Sequence, residues 1–264
     1  MKTMKNPPKV IKMVMETVCL LMQLPPHKTK TKEDYWKPSI KLLNKRDFIE
    51  QLQNKNFTVD KTGQKTIELI GASFIADEPS IFGTINKDYI NSEIEWYKSM
   101  STNINDIFDE DREPPRAWKL SANKHGEINS NYGLLCFSSK YHNQMSNAIA
   151  ELMRNKDTRR ATIVYNRPSI WVEYNELGKD DFICTNAVSY YIRNDKIHCV
   201  VQMRSNDVIY GYKNDFAWQQ FMHHEIINLY NESLDSDEDE LGTGFIYWQV
   251  QNLHVYERHF HLVK

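Results

Sequence analysis

Cys184 stands in DFICTNAVSYY, at the head of a run rich in β-branched and aromatic residues. A thiol there has two readings: a small buried hydrophobe, or a nucleophile if something nearby lowers its pKa. Arg204, in Arg204-Ser205-Asn206-Asp207, follows the next apolar run directly and is a fixed cation. It could hold a phosphate or favour a thiolate, although four polar residues at a strand end also make an ordinary turn. Arg159-Arg160 is a second cationic pair just before an apolar run, where solvated charges are the usual finding. Asn214-Asp215 opens a helical pattern, which suits capping as well as any chemistry. His223-His224-Glu225 lacks the second histidine one turn on that a zincin needs, since Asn228 and Leu229 occupy that region. His254 and Tyr256 share a strand face, and His259 and His261 would do likewise, without a convincing metal spacing. Gly242-Thr243-Gly244 reads as a turn, and no phosphate loop or dinucleotide fingerprint occurs, which argues against ATP and nicotinamide chemistry.

These residues need elements to hold them. Asp47 to Gln53 predicts a short helix, and Lys65–Phe74 a strand bent at its glycine. Tyr89–Met100 predicts a helix whose face is Ile90, Ile94 and Tyr97. Residues 102–117 read as a charged loop closed by Pro114-Pro115. Ala161–Tyr165, Val188–Ile192 and Ile197–Met203 read as strands, the last two joined by a turn at Arg193-Asn194-Asp195. Trp218, Phe221, Met222, Ile226 and Leu229 line one side of a helix. Glu232–Glu240 is an acidic loop, and Phe245–Val250 and Leu253–Val263 are two closing strands. Helices and antiparallel-type strands mix without a βαβ rhythm, which favours an α+β fold.

The balance of 33 Lys+Arg against 35 Asp+Glu gives a formal net charge of −2, which argues against a general nucleic-acid binder. Four cysteines (Cys19, Cys136, Cys184, Cys199) without a paired spacing point to a reducing, cytoplasmic setting, and all but Cys184 look structural. Val10 to Leu24 is apolar but interrupted by Lys12 and Glu16, too short to cross a bilayer, and followed by Pro25-Pro26 rather than a cleavage site. It reads as an amphipathic or floppy extension, and residues 25–38 as a linker.

The order of the residues says more than any one of them. Cys184, Arg204-Ser205-x-Asp207, Gly211, Asp215-x-Ala217 and His254-x-Tyr256 resemble the thymidylate synthase family in sequence and spacing. Asp60-Lys61-Thr62-Gly63, Glu93-Ile94-Glu95-Trp96-Tyr97, GEINSNYG at 126–133 and Asp157-x-Arg159-Arg160 fit the same family in the same order. The resemblance runs from about residue 57 to 263. Within the family the chain is most similar to the phage branch that hydroxymethylates deoxycytidylate, through FTVDKTGQKTIELIGASFIADEP, SEIEWYKS, CTNAVSYYIRNDKI and MRSNDVIYGYKNDFAWQ.

The resemblance implies an α+β fold, a large mixed or antiparallel sheet with flanking helices, and a homodimer packed sheet to sheet. It implies an N-terminal extension over 1–36 and a catalytic domain over 37–264. The substrate would be dCMP and the co-substrate 5,10-methylenetetrahydrofolate, with no metal, no direct nucleic-acid contact and no membrane. Catalytic roles fall to Cys184, Glu93 and Asp215. Lys61, Arg204 and Ser205 would meet the phosphate, with Arg159 and Arg160 reaching it from the partner subunit. His254 and Tyr256 would hold the deoxyribose hydroxyl, and Asp207 and Trp118 the folate. The setting implied is the cytoplasm of a phage-infected bacterium.

Several residues depart from the synthase pattern. Ile183-Cys184-Thr185 replaces Pro-Cys-His, and Asp215 replaces an asparagine. Cytosine presents an N3 acceptor and an N4 amino donor, the reverse of uracil, and a carboxyl sharing a proton with N3 satisfies both. Lys61 replaces an arginine, keeping charge without the bidentate fork. Family members continue into a segment that closes over folate, whereas this sequence ends at Lys264, a difference that implies weak activity or a cover supplied by the N-terminal extension. The competing expectations are a thymidylate synthase or dUMP hydroxymethylase on the same fold, and a catalytically weak dimeric nucleotide-binding homologue.

Overall fold

The computed structural model describes residues 45–59, 63–108 and 112–264. The expected N-terminal helix and linker, Cys19 and Lys61 lie outside the described residues. A short helix α1 (Lys45–Gln53) buries Phe48 and leads into β1 (Thr58–Val59) and β2 (Lys65–Ile75). Then come α2 (Lys87–Ser99), α3 (Arg116–Ser121), α4 (Tyr132–Phe137) and α5 (Gln144–Arg154). The rest is β3 (Thr162–Val164), α6 (Ile170–Glu173), β4 (Thr185–Arg193), β5 (Lys196–Met203), β6 (Asn206–Asp207), α7 (Gly211–Glu232) and β7 (Gly242–Tyr256). The described strands form one sheet in the order β1-β2-β7-β5-β4-β3, with β6 on β7.

The expected α+β class holds, and the sheet is mixed. β5 and β7 run parallel with α7 as the crossover, while the β1–β2, β2–β7, β3–β4 and β4–β5 pairs are antiparallel. The hairpin between β4 and β5 closes where the sequence indicates. Arg193 pairs with Lys196, and both loop residues take positive φ, Asn194 at 52° and Asp195 at 55°. That is the backbone twist a two-residue hairpin loop demands, and Asn and Asp tolerate it better than most residues.

Alternation builds the core. Val188, Tyr190 and Ile192 of β4, Ile197, Cys199, Val201 and Met203 of β5, and Ile246, Trp248 and Val250 of β7 are buried together. Against them α7 lays Trp218, Met222, Ile226 and Tyr230, each one turn beyond the last and each with no exposed surface. Emptying the Trp218 site to alanine would cost roughly 3–5 kcal/mol. Leu229, expected on the same stripe, is instead 38% exposed, because the buried line advances about 40° at each four-residue step and by Ile226, Ile227 and Tyr230 has turned away from it.

Further expectations are corrected. Phe245–Val250 and Leu253–Val263 are not two strands. β7 runs unbroken to Tyr256 and then tightens into a 3₁₀ turn over Glu257–Leu262, so His259 and His261 do not share a strand face. The split arises because the buried residues switch from 246, 248 and 250 to 253 and 255, while pairing to β2 continues through Asn252 opposite Ile70. Gly71, at φ 69°, lies beside this switch. Gly242-Thr243-Gly244 is the start of β7, paired in parallel with Lys196 and Ile197. A Cβ at Gly244 would lie 2.4 Å from the Ile197 carbonyl oxygen, so glycine serves close strand approach there. The loop over 102–117 contains a 3₁₀ turn, Ile104–Ile107, that buries both isoleucines.

Candidate active site

The thiol of Cys184 sits in the bend just ahead of β4, half-buried, where β4 and β5 end side by side. Arg204 leaves the end of β5 and is tied back to that bend. Its main-chain N–H donates to the Cys184 carbonyl oxygen at 2.9 Å, its Nε to the Ile183 carbonyl oxygen at 3.0 Å, and its Nη2 to the Phe182 carbonyl oxygen. The guanidinium also lies over the Phe182 ring at 4.8 Å. So held, Nη2 stands 3.6 Å from Cys184 Sγ. Burial pushes the thiol up to about 11, Arg204 pulls it down, and Asp215 and Asp181 push the other way. The resting sulfur is therefore a thiol beside a cation that favours the thiolate. Cys136 and Cys199 are buried, and burial raises both thiols as well. Ser205, half-buried, follows Arg204.

Glu93 lies on the inward face of α2 with 4% of its surface exposed. The apolar pattern put Ile90, Ile94 and Tyr97 on that face; Glu93, Trp96 and Tyr97 are its buried residues, and the two isoleucines are half-buried. A carboxylate inside the buried stripe displaces the apolar reading by part of a turn. Gly133 lets α4 press against the end of α2, since a Cβ there would fall 1.7 Å from the Tyr97 carbonyl oxygen. The contact stacks Tyr132 on Tyr97, ring centres 5.1 Å apart. Glu93 Oε1 accepts from the Tyr89 hydroxyl and from Trp118 Nε1 at 3.1 Å, and the same indole N–H reaches Tyr89 Oη at 2.9 Å. Burial raises the Glu93 carboxyl to about 7, against those two hydrogen bonds.

Asp215 does not cap its helix. α7 begins at Gly211, and the residue that serves the chain entering it is Asp207, whose Oδ1 accepts from the N–H of Ile209 at 2.9 Å and of Tyr210 at 2.6 Å. Asp215 sits one turn in, and its Oδ2 accepts from Asn206 Nδ2 at 2.7 Å. Asn206 is fixed in turn by Trp248 Nε1, which donates to its Oδ1 at 3.3 Å. Burial and the neighbouring Glu93 raise Asp215 to about 8, while Asn206 and Tyr132 hydrogen bonds oppose them. Tyr132 Oη also accepts from Thr185 Oγ1 at 3.0 Å, which ties the Asp215 side to the cysteine bend.

The fate of the other expected residues is mixed. His254 and Tyr256 share a face of β7, with ring centres 5.0 Å apart, and the His254 strand position pairs with Asp207. Burial lowers the His254 imidazole pKa. Arg159 and Arg160 are exposed, and Arg160 pairs with Glu151 at 3.2 Å. The β3–β4 register sets Thr162 opposite Ser189 and Val164 opposite Ala187, so the two arginines lie toward the far end of β4. At about 3.3 Å per strand residue, that is roughly 20 Å from Cys184. Within one chain the structure does not bring them to the thiol. His223, of the histidine pair, lies under the sheet with Nε2 2.7 Å from the Ile197 carbonyl oxygen. Among the described residues no group of three or more His, Cys, Asp or Glu could hold a metal ion, and no helix is long and apolar enough to cross a membrane.

Sequence reasoning missed Tyr89, Tyr132 and Asn206. Tyr89 could have been found at helical i,i+4 spacing from Glu93, and Asn206 as the unassigned position between Arg204-Ser205 and Asp207.

With this geometry in hand, the thymidylate synthase family model matches residues 43–264. The chain belongs to the thymidylate synthase family. Deoxycytidylate 5-hydroxymethyltransferase of Enterobacteria phage T4 is 50% identical over 212 residues, covering 80% of this chain and 84% of that protein. The phage T6 protein of the same name is 49% identical over the same share. Thymidylate synthase of Francisella tularensis subsp. holarctica is 24% identical over 219 residues, 77% of this chain and 76% of its own. The sulfur, cation and carboxyls form one electrostatic group: Arg204 and Asp215 act on Cys184, and Glu93 acts on Asp215. Among the described residues the Oδ2 of Asp207 is buried without a hydrogen-bond partner, an unmet acceptor just ahead of α7.

Proposed function

We propose that this protein transfers a one-carbon unit from 5,10-methylenetetrahydrofolate to C5 of dCMP and adds water, giving 5-hydroxymethyl-dCMP. The observation that carries the reading is Asp215, a half-buried carboxyl raised to about 8 by desolvation and the neighbouring Glu93 where the synthase pattern has an amide. Near neutral pH it keeps a proton, so it can donate to cytosine N3 and accept from N4. Uracil in that place would leave polar groups unpaired, at roughly 1–3 kcal/mol each. The 50% identity to phage deoxycytidylate 5-hydroxymethyltransferases supports the same substrate.

C5 of a pyrimidine is a poor nucleophile until C6 is attacked. Cys184 gives its proton to water and adds to C6 as the thiolate, which Arg204 stabilises from 3.6 Å; C5, made nucleophilic, takes the one-carbon unit and then gives up its own proton to water. The folate supplies the one-carbon unit. Asp207 fits a donor on the folate ring through its unpaired Oδ2, and Trp118, whose N–H is bonded to Glu93, offers an aromatic face. Arg204, Ser205 and Lys61 take the nucleotide phosphate, and His254 and Tyr256 the sugar hydroxyl. Glu93 directs water and accepts its proton.

The same reading includes a homodimer. The face of the sheet away from α7 carries Phe245 at 46% and Val164 at 47% exposure, with Gln202 bonded to Gln249 across it. Packing two such faces together would bury them and bring Arg159 and Arg160 to a second copy's phosphate. The phage relatives support a setting in the cytoplasm of an infected bacterium. Mass spectrometry of products from dCMP or dUMP with methylenetetrahydrofolate tests the proposal. Hydroxymethyl-dCMP is expected; methylated dUMP would overturn it.

A further inference from the structure

Glu93 must act as a base toward water in the proposed reaction, and a carboxyl can do so through either oxygen. Here the two oxygens are unequal. Tyr89, four residues earlier on α2, donates its hydroxyl to Oε1, and Trp118 Nε1 donates to the same oxygen at 3.1 Å. The indole also donates to Tyr89 Oη at 2.9 Å, so the three groups close into a triangle. Among the described residues no protein donor meets Oε2. Phe108 packs edge-on against the Tyr89 ring at 6.0 Å, which limits swing of the phenol. The phenol keeps its own proton, because burial and Glu93 hold its pKa far above the usual tyrosine range. The titratable groups that feel Glu93 are Tyr89 and Tyr97 on its own helix and Asp215 on α7.

We infer that Tyr89 is a positioning residue for water addition: with Trp118 it occupies Oε1 of Glu93 and leaves Oε2 as the oxygen that takes the proton of the attacking water. This deepens the proposed function and rests on it. In the step concerned the nucleotide carries an exocyclic methylene on C5 and Cys184 on C6. The water oxygen bonds to the methylene carbon, its proton passes to Glu93 Oε2, and the π pair moves into the ring. That pair then returns to form C5=C6 as the C6–S bond breaks and the sulfur leaves as thiolate. No oxidant or reductant is needed. Because Trp118 also belongs to the proposed folate side, the cofactor's place and the base's orientation meet at one indole.

Tyr89→Phe keeps the ring and removes the donor. The phenol hydrogen bond favours ionised Glu93, so its loss raises the Glu93 titration by roughly one pH unit. This is read by ¹³C NMR of glutamate-labelled protein without nucleotide or folate, the resonance being assigned by its absence in Glu93→Gln. With dCMP and methylenetetrahydrofolate, kcat at pH 7 falls about fivefold while KM for dCMP holds, and the kcat limb moves up by the same unit. Trp118→Phe shifts the titration in the same direction by less. An unchanged Glu93 titration in Tyr89→Phe overturns the inference, as does a shifted titration with an unmoved kcat limb. A merely structural tyrosine would lower the melting temperature and move neither. Should the unaltered protein make no product from dCMP, the proposed function falls, and the assignment of Tyr89 to water addition falls with it whatever the titration reads.

Discussion

The two ends of the site are built on opposite electrostatic terms. At the β4–β5 end a guanidinium is held open by main-chain carbonyls and aimed at a sulfur, so the position is ready for negative charge. At the α2–α7 end two carboxyls, Glu93 buried and Asp215 half-buried, lie near each other, and each is pushed toward its protonated form, Glu93 to about 7 and Asp215 to about 8. The first end stabilises an anion that the reaction creates. The second holds Asp215 as a neutral acid that can donate as well as accept, beside Glu93 balanced between its two forms near neutral pH. The same low-dielectric setting serves both ends because only one of them contains a fixed counter-charge.

The largest effect should come from removing the atom around which the cationic end is built. Cys184→Ala is expected to lower turnover of dCMP by at least about 10³-fold, with nucleotide affinity largely kept. Quench-flow turnover and calorimetric binding on the same preparation separate the two. Retained turnover would reduce Cys184 to packing and leave Arg204 as a phosphate ligand alone. An equal loss of affinity would mean that the sulfur holds the bend rather than attacking the ring.

A smaller effect sharpens the acidic end. A carboxyl whose folded pKa lies above its unfolded value gives stability that is complete below the unfolded value and lost as pH rises through the folded one. For Asp215 that window runs from the ordinary carboxylate range up to about 8, and Glu93 adds its own slope up to about 7. Asp215→Asn removes the first contribution and can still accept from Asn206. Urea unfolding at fixed protein concentration should therefore show the variant losing less stability between pH 5 and pH 8, by on the order of 4 kcal/mol. Parallel profiles for the two proteins would mean that Asp215 is ionised in the folded protein, and its base-selecting role would need another basis.

The cationic end was legible in the sequence because charge and sulfur are rare and their order along the chain is distinctive. The acidic end was only half legible. Glu93 and Asp215 were marked, yet Tyr132 and Asn206, which tune Asp215, come from other elements and meet it only through folding, while Tyr89 tunes Glu93 from one turn earlier on the same helix. Periodicity failed where the site intrudes on the core: Glu93 occupies an apolar stripe of α2, and the buried positions of β7 change parity opposite Gly71. The capping alternative for Asp215 fails: Asn-Asp before an apolar run is what a helix start looks like, whereas the helix begins at Gly211, with Asp207 serving the chain that enters it. Local preference places an element to within a turn; which polar side chain faces inward is decided by distant partners.

The smallest effect tests whether the two ends are independent. Thr185 follows the nucleophile in the chain, and its hydroxyl donates to Tyr132 Oη at 3.0 Å, while Tyr132 bonds to Asp215. This is a three-residue bridge from sulfur to acid. Thr185→Val is close in shape and removes one buried donor, so it should cost about 1 kcal/mol of stability, measured by urea unfolding. If the bridge carries coupling, the energy linking Cys184→Ala and Asp215→Asn in a double-mutant cycle of dCMP binding will shrink when Thr185→Val is added. If the coupling energy holds its value, the two ends interact through space alone, and the cation at one and the acids at the other are tuned separately. The bridge predicts the first result because Tyr132, accepting from Thr185, is the better donor to Asp215.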